Sequence, residues 1–99
     1  MSYRIRFTLQ AEDDLLRLFD FLLEQDVALA ARAETAIYKG IEVLELFPFS
    51  CRKAMSDDAC LRELVIPFGG AGYVALFEID NNETVTIVAV RHQREDDYH

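Results

Sequence analysis

The sequence has few of the residues that build disulfide-rich or membrane-spanning proteins. It contains no tryptophan and only two cysteines, Cys51 and Cys60, too few to stabilise a small secreted domain. No apolar run approaches the roughly 20 residues that cross a bilayer, and no apolar segment of a signal peptide follows the first charges. We therefore expect a cytoplasmic protein with reduced thiols and no membrane partner.

Basic residues are also scarce. Ten Lys and Arg face eighteen Asp and Glu, which gives a formal net charge of −8. Because nucleic-acid binding draws much of its affinity from Lys and Arg that replace counterions, this charge disfavours direct, sequence-specific binding to nucleic acid. Salt screens charges beyond about 8 Å, so a small basic patch can still act on a partner by itself.

Apolar residues, by contrast, are plentiful. They make up 52% of the chain and include seven Phe and four Tyr, ample for a packed core. A chain of 99 residues has enough surface to bury for one core but not for two. Since neither an internal repeat nor a linker interrupts the sequence, residues 1–99 are predicted to form a single domain.

The N-terminal part predicts a strand followed by a helix. "YRIRFT" alternates apolar and basic residues, the pattern of a half-buried strand. Thr8 suits the N-cap of the helix, which is expected to extend to about Gln25. Three carboxylates, Glu12, Asp13 and Asp14, lie near the helix start, where the macrodipole favours them. The predicted apolar stripe of this helix consists of Leu15, Leu16, Phe19, Leu22 and Leu23.

A second helix is predicted between Asp26, as its N-cap, and Pro48, which ends it. Small residues beside its apolar positions let two helices approach closely, so the pair is expected to form an antiparallel hairpin. The polar, aperiodic "FSCRKAMSDDA" is predicted to be a loop. The predicted core positions of the second helix are Leu29, Ala33, Ile37, Ile41 and Leu44.

Three β-rich segments complete the chain: "CLRELVI", "YVALFEI" and "TVTIVAV". Pro67 is expected to stop the first of them, and the glycine-rich "PFGGAG" and the asparagines of "DNNE" suit tight hairpin turns. The predicted order is β-α-α-β-β-β, an α+β fold with a helical hairpin packed on one face of a small, mostly antiparallel sheet.

Two motifs are weak candidates for ligand sites. "FGGAG" lies between two strands and lacks the spacing of a phosphate-binding loop, so it is interpreted as a hairpin turn. The C-terminal "HQREDDYH" offers metal-ligand types in His92, Asp96, Asp97 and His99, but their spacing matches no known geometry. An exposed acidic tail is the better interpretation, and we expect neither a metal nor another cofactor.

A dispersed set of basic residues is the stronger candidate for a functional site. Arg62 begins one predicted strand and Arg91 ends another, and if the two strands are neighbours these groups would converge in a basic cleft at one end of the sheet. In such a cleft, guanidinium groups can bind the carboxylates of a partner peptide through paired hydrogen bonds. The residues expected to contact a partner are Arg52, Lys53, Arg62, Arg91 and Arg94.

The same cleft also suits a second task. Arg62 and Arg91 can stabilise a phosphoryl transition state while His92 or Tyr98 moves protons. A third possibility is purely structural, with the arginines forming ion pairs with neighbouring glutamates at the strand ends. No nucleophile has a base and an orienting group that the sequence places beside it.

The chain resembles the RelE/ParE superfamily of bacterial toxins, and most closely its ParE-like, plasmid-stabilisation branch. The resemblance rests on "LRELVIPFGGAGYVALFEID" and "VTIVAVRHQREDDY", together with "AEDDLLRLFDFLLEQ" on the first helix. It implies the toxin of a type II toxin–antitoxin pair, neutralised by a cognate antitoxin whose helix and tail wrap over the hairpin and sheet. ParE-like members are associated with inhibition of DNA gyrase, whereas RelE-like members cut mRNA on the ribosome without a metal.

The catalytic pattern of the RelE-like ribonucleases carries over only in part. Arg62 and Arg91 match two family arginines, and Tyr98 or His92 stands near the family's C-terminal tyrosine or histidine. The paired lysines that often precede Arg62 are reduced here to Arg52 and Lys53. These departures and the acidic charge favour a non-enzymatic, ParE-like toxin that acts by protein–protein contact.

Two alternatives remain at the sequence level. One is a ribosome-dependent mRNA interferase, and the other is a non-toxic homologue that retains only antitoxin binding. Under the favoured hypothesis, replacing Arg91 weakens antitoxin binding or toxicity more than replacing Arg17, a predicted helix-surface residue.

Overall fold

The computed structural model describes residues 2–54, 60–81 and 83–93 and confirms the predicted α+β architecture. Two helices pack against one five-stranded sheet of strand order β1-β5-β4-β3-β2. The elements are β1 (Arg4–Phe7), α1 (Leu9–Leu23), α2 (Val27–Leu46), a 3-10 turn (Pro48–Ser50), β2 (Arg52–Lys53), β3 (Leu61–Phe68), β4 (Ala71–Ile79) and β5 (Thr84–His92).

The sheet is antiparallel except at one edge, where β1 runs parallel to β5. Leu76 pairs with Ala89 and Phe77 with Ile87, so Val88 is an extra residue in β5. Such a β-bulge bends the strand and increases its local twist. Beyond this bulge β5 continues past the end of β1, and α1 rather than a strand lies along it.

Two sequence predictions about β2 and β3 were wrong. The segment after Pro48, predicted to be a loop, contains the 3-10 turn and the short strand β2, while residues 55–59 lie outside the described part of the chain. Pro67 does not stop β3, which extends to Phe68. Because β2 pairs only with Arg62 and Glu63, Pro67 lies on an unpaired edge, where a missing N–H breaks no ladder hydrogen bond.

Both helices begin at the predicted caps. Thr8 Oγ1 accepts a hydrogen bond from the backbone N–H of Ala11, and Asp26 Oδ1 accepts bonds from the N–H groups of Ala28 and Leu29. These side chains satisfy amide groups that have no partner within the first turn of a helix. α1 ends at Leu23, slightly before the predicted end.

The predicted core face of α1 was partly wrong. Leu16 and Leu23 are 61% and 48% exposed, while Ala11, Asp14 and Leu18 are buried in their place. The helix carries apolar residues along two neighbouring stripes, and the position of β5 selects the one that faces the core. On α2, four of the five predicted positions are buried and Leu29 is half-buried.

Close packing between α2 and the sheet depends on Gly40. A Cβ at this position would lie 2.8 Å from Cγ1 of Ile66, so only glycine lets the helix approach β3 this closely. The β3–β4 hairpin turns at Gly69 and Gly70, and Gly69 has a φ of 61°, a conformation that L-residues with side chains adopt rarely. The predicted glycine-rich turn is therefore confirmed.

Candidate functional site

The predicted convergence of Arg62 and Arg91 is wrong. Arg62 pairs with the core residue Phe77, so its side chain starts on the face of the sheet that carries the helices. Arg91 pairs with Val74 and follows the core residue Val90, which places it on the opposite face. We call this helix-free face of the described sheet the outer face.

The two arginines are also offset along the sheet, since their partners on β4, Phe77 and Val74, are three residues apart. β3 and β5 are both antiparallel to β4, which separates them, so β3 and β5 run in the same direction. Arg62 is near the start of β3 and Arg91 is near the end of β5. A cleft that clamps one ligand between these two side chains is therefore excluded by topology.

Arg62 is held in place by its own neighbours. Its Nη1 donates a hydrogen bond to the backbone carbonyl of Cys51, with 2.7 Å between the atoms. Its guanidinium carbon lies 5.4 Å from the ring centroid of Phe49, within the range of a cation–π contact. Arg62 thus ties β3 to the segment that joins α2 to β2.

Arg52 and Lys53 diverge as well, because adjacent residues of a strand point to opposite faces. Arg52 pairs with Glu63 on the outer face, and its Nε lies 2.5 Å from the Glu63 carboxylate. Lys53 pairs with Arg62 on the helix-bearing face. The basic set predicted from the sequence is therefore divided between the two faces.

Of the remaining predicted residues, Arg91 and His92 lie at the end of β5. Nε of Arg91 is buried and has no hydrogen-bond partner, and no carboxylate in the described part of the chain forms an ion pair with Arg91. His92 is on the helix-bearing face, where its ring meets Tyr73 edge-on with 5.4 Å between centroids. Arg94, Tyr98 and the other residues of the proposed tail lie outside the described residues.

A concave apolar site that the sequence did not reveal lies beside α1. We call it the α1 groove; its volume is about 520 Å³, and it opens between the C-terminal half of α1 and the ends of β3, β4 and β5. Phe21, 61% exposed, projects from the helix beside it. The lining residues are Arg17, Leu18, Phe21, Leu22, Gln25, Phe68, Tyr73 and His92.

Aromatic packing forms the sheet wall of the groove. Tyr73 is 3% exposed, and its ring lies between those of Phe68, at 6.0 Å, and His92, at 5.4 Å. Aromatic contacts of this kind add to the stability that area burial alone provides. The sheet wall is therefore built from rings that pack on one another within the protein.

The helix wall is fixed by Asp14. Its Oδ2 accepts a hydrogen bond from the backbone N–H of Val90 on β5, and its Oδ1 accepts one from the side-chain amide of Gln10. Arg17, which lines the groove, lies 3.8 Å from the same carboxylate. These contacts hold α1 against β5 at the near end of the groove.

Sequence reasoning missed this site because only tertiary contacts assemble it. The available signal was Phe21, a large apolar residue outside the predicted stripe of α1. Arg17 is exposed on the surface of α1, as predicted, but it also lines the groove. Arg17 is therefore unsuitable as a neutral reference for substitutions.

Reactive groups are sparse in the described part of the chain. No three His, Cys, Asp or Glu side chains within it lie close enough to hold a metal ion. Burial raises the pKa of the Cys51 thiol, while a hydrogen bond with Ser50 and the charge of Arg62 act in the opposite direction. The thiol therefore stays protonated to a higher pH than an ordinary cysteine.

None of the described helices has both the length and the apolar character that a bilayer-spanning segment needs. The described fold is thus a small two-layer domain with an apolar groove beside α1.

The family of this domain follows from sequence comparison. Residues 5–97 match the family described as "ParE toxin of type II toxin-antitoxin system, parDE". The chain therefore belongs to the ParE toxin family, as its sequence features predicted. No sequence of a curated protein matches the chain significantly.

Two solved structures share the fold. A chain of the chromosomal ParDE toxin–antitoxin system from P. aeruginosa superposes with a TM-score of 0.74 at 16% identity, covering 91% of this chain and 95% of that chain. A chain of the RelBE2 toxin–antitoxin complex from Mycobacterium tuberculosis superposes with a TM-score of 0.60 at 25% identity, covering 94% and 100%.

Proposed function

We propose that this protein is the toxin of a type II toxin–antitoxin pair, that it inhibits DNA gyrase in the cytoplasm by protein–protein contact, and that a cognate antitoxin neutralises it by occupying the α1 groove. The α1 groove carries the antitoxin part of the proposal. It is an apolar concavity with an exposed phenylalanine at its edge, in a chain of the ParE toxin family.

An amphipathic helix is the occupant that the shape of the groove favours. One wall is a helix and the other is the aromatic end of the sheet, an arrangement that accepts apolar anchors at helical spacing. Phe21 would bury its exposed ring against such a helix. Large aromatic residues that become fully buried on binding commonly dominate the energy of an interface.

Contact inhibition is favoured over RNA cleavage by the positions of the arginines. A ribonuclease of the RelE type would need Arg62 and Arg91 to act on the same phosphate, whereas here they lie on opposite faces of the sheet. Arg62 is also engaged by Cys51 and Phe49. The net charge of −8 opposes entry into an RNA-walled site.

The antitoxin part of the proposal is tested with the protein encoded by the reading frame beside this gene. We expect induction of the toxin alone to arrest growth and co-expression of the neighbour to restore it. Phe21→Ala should weaken the complex of the two purified proteins by about 10- to 30-fold, as for a central aromatic anchor. Unchanged affinity would exclude the groove as the antitoxin site.

Phe47→Ala is the matched control for this experiment. Phe47 is 62% exposed, nearly the same as Phe21, but it lies at the end of α2 and outside the groove. Its replacement removes a similar apolar surface, so affinity should change by less than about threefold. Equal losses in the two variants would mean that general surface hydrophobicity, and not the groove, supports binding.

A further inference from the structure

The side of α1 that faces away from the core carries an aligned row of leucines. Leu9, Leu16 and Leu23 are 80%, 61% and 48% exposed, and they are spaced by seven residues. Because seven residues are almost two turns of an α-helix, the three side chains lie on one line, about 10 Å apart along the axis. We call this row the leucine stripe. Exposed leucines scattered singly are ordinary on a protein surface, but an aligned row forms a continuous apolar strip.

The leucine stripe is separate from the α1 groove. Phe21 follows Leu16 by five residues, which corresponds to about 140° around the helix. Phe21 therefore stands beside the groove while Leu16 points in a different direction, and none of the three stripe leucines lines the groove. An occupant of the groove does not by itself cover the stripe.

Acidic residues flank the leucine stripe on both sides. Asp13 and Asp20 each follow a stripe leucine by four residues, whereas Glu12 follows Leu9 by three. Residues three and four positions along a helix lie on opposite sides of the starting residue, so the carboxylates border the row on each side. All three acids are exposed, and no ion pair within the described part of the chain involves any of them.

The wider surroundings of the stripe are acidic as well. Residues 9–46, which form the helical hairpin, contain nine acidic and three basic residues. Two of the basic residues, Arg32 and Lys39, lie on α2, and the third, Arg17, lines the α1 groove. The leucine stripe is therefore an apolar strip in an anionic environment, which a cationic partner would complement.

We infer that the leucine stripe is a docking surface for a basic amphipathic helix of a protein other than the antitoxin. Apolar side chains of that helix, repeated at about seven-residue intervals, would cover Leu9, Leu16 and Leu23. Its Lys and Arg side chains would border the apolar row and meet Asp13 and Asp20. Paired helices commonly combine an apolar seam with flanking charges that select the partner. The inference goes beyond the proposed function, because it does not depend on what occupies the α1 groove or on what the toxin inhibits.

A second copy of the chain fits this surface less well. In an antiparallel pair of stripes with the two Leu16 side chains facing each other, Asp13 of each copy would lie beside Asp20 of the other. In a parallel pair, Asp13 would lie beside Glu12 of the other copy. Both arrangements bring carboxylates together, and like charges placed side by side weaken an interface.

Surfaces that carry phosphate are disfavoured by the same charges. Nucleic acid and anionic lipid both present negative phosphate groups, which the carboxylates beside the stripe would repel. A protein helix rich in Lys and Arg meets neither this objection nor the one against a second copy.

The test is an NMR titration of the isotope-labelled full chain at about 0.15 M salt, where distant charges are screened. The probe is a synthetic helical peptide with leucine at seven-residue spacing and lysine on both flanks, and its control has glutamate in place of lysine. We expect the lysine peptide to shift amide signals of residues 9–23 and to bind at least about tenfold more tightly than the glutamate peptide. A third peptide, with serine in place of leucine, should also bind at least about tenfold more weakly.

Two leucine variants test the apolar part of the surface. Leu16→Gln removes the centre of the stripe and should weaken binding of the lysine peptide by at least about fivefold. Leu46→Gln is the matched control, because Leu46 is 58% exposed but lies at the end of α2, and its affinity should stay within about twofold. Both side chains are exposed, so neither change should unfold the chain.

Two double variants test the charged part of the surface. Asp13→Asn with Asp20→Asn removes two exposed charges beside the stripe and should weaken the lysine peptide by at least about fivefold. Glu34→Gln with Glu42→Gln removes two exposed charges from α2 and should leave the affinity within about twofold. Both double variants have the same net charge, so the difference reports position and not total charge.

Three results would overturn the inference: equal binding of the lysine and glutamate peptides, equal losses within either matched pair of variants, or shifts of the same amide signals by an oligonucleotide or anionic lipid vesicles. Sedimentation showing a dimer of the free protein that Leu16→Gln abolishes would overturn it in favour of a second copy.

Antitoxin binding separates this inference from the proposed function. Leu16→Gln should leave the affinity for the antitoxin within about twofold, whereas Phe21→Ala should lower it. Equal losses of antitoxin affinity in the two variants would assign the stripe to the antitoxin interface and overturn the inference, while the role of the α1 groove would stand.

Discussion

The Asp14 carboxylate on α1 accepts a hydrogen bond from the backbone N–H of Val90 on β5, with 3.0 Å between Oδ2 and N. β1 ends at Phe7, so on the side away from β4 no described strand pairs with β5 beyond this point. Side chains replace the missing strand as hydrogen-bond partners of β5. The Thr8 hydroxyl donates to the Val88 carbonyl, and the Asp14 carboxylate accepts from the Val90 N–H. A helix thereby completes the hydrogen bonding of a sheet edge and sets one wall of the α1 groove.

Replacing Asp14 should therefore destabilise the fold. Asp14→Ala leaves the Val90 N–H buried without an acceptor, and we expect the free energy of unfolding to fall by about 1–3 kcal/mol. Asp14→Asn keeps a carbonyl oxygen and should lose less. The measurement is urea unfolding, with Asp13→Ala, an exposed neighbour, expected to stay within about 0.5 kcal/mol. Equal losses at positions 13 and 14 would contradict the structural role of this contact.

Three glycines around the β3–β4 hairpin should respond differently to alanine. A Cβ on Gly72 would lie 2.3 Å from the Ile66 carbonyl oxygen, so Gly72→Ala forces backbone movement and should cost more than about 3 kcal/mol. Gly70 has nothing within 4 Å of its Cβ position, and Gly70→Ala should change stability by less than about 1 kcal/mol. Gly69 has open space but a positive φ, so Gly69→Ala should lie between them.

Thermal or urea unfolding of the three alanine variants ranks these effects. The expected order of destabilisation is Gly72, then Gly69, then Gly70. A Gly72→Ala protein as stable as Gly70→Ala would mean that the β3–β4 register differs from the one described.

Arg62 and Arg91 should behave as independent residues. Because they lie on opposite faces of the sheet and on strands that β4 separates, a double-mutant cycle of Arg62→Gln and Arg91→Gln should give a coupling energy below about 0.5 kcal/mol. The quantity to measure is the affinity for the antitoxin, with unfolding free energies recorded in parallel. A coupling energy above about 1 kcal/mol would indicate that the two residues act in one shared site.

Cys51 should react slowly with thiol reagents. Burial raises its pKa, so at mildly alkaline pH a smaller fraction of Cys51 is thiolate than of an ordinary cysteine. Arg62 lowers the same pKa, so Arg62→Met should slow the reaction further. The measurement compares disulfide-exchange rates of Cys51 in a Cys60→Ala protein with those of the exposed Cys60 in a Cys51→Ala protein. A faster Cys51 would contradict its partly buried setting.

The raised pKa of Cys51 also determines the direction in which stability changes with pH. A thiol whose pKa is raised on folding contributes stability below the pKa of the unfolded chain and loses it as pH rises through the folded value. Stability should therefore decline at alkaline pH, and it should decline less in the Cys51→Ala protein. An equal decline in both proteins would assign the effect to other groups.

Local patterns were sufficient to predict most of the fold. The alternation in β1, the caps Thr8 and Asp26 and the glycine-rich hairpin each depend on neighbouring residues, and the structure confirms each of them. Predictions were wrong where a sequence pattern was compatible with two different structures. α1 carries two apolar stripes, and only the position of β5 decides which one is buried.

The candidate site was harder to predict from the sequence, because it depends on which strands are neighbours in the sheet. The hypothesis of a basic cleft needed Arg62 and Arg91 on adjacent strands, but β4 lies between β3 and β5. The α1 groove joins residues of α1 to residues near the end of the chain, and no local periodicity connects Phe21 with Tyr73. Arg94 and Tyr98 lie outside the described residues, so their predicted roles stay predictions.

The central claim is inhibition of DNA gyrase by contact, and a supercoiling assay with the purified, antitoxin-free protein tests it most directly. We predict that the protein stops gyrase from supercoiling relaxed plasmid, that added antitoxin restores the reaction, and that mRNA stays intact in a parallel translation reaction. Normal supercoiling together with translation-dependent mRNA cleavage would contradict the account and identify a ribonuclease. Normal supercoiling with intact mRNA would contradict it as well and indicate a chain that only binds antitoxin.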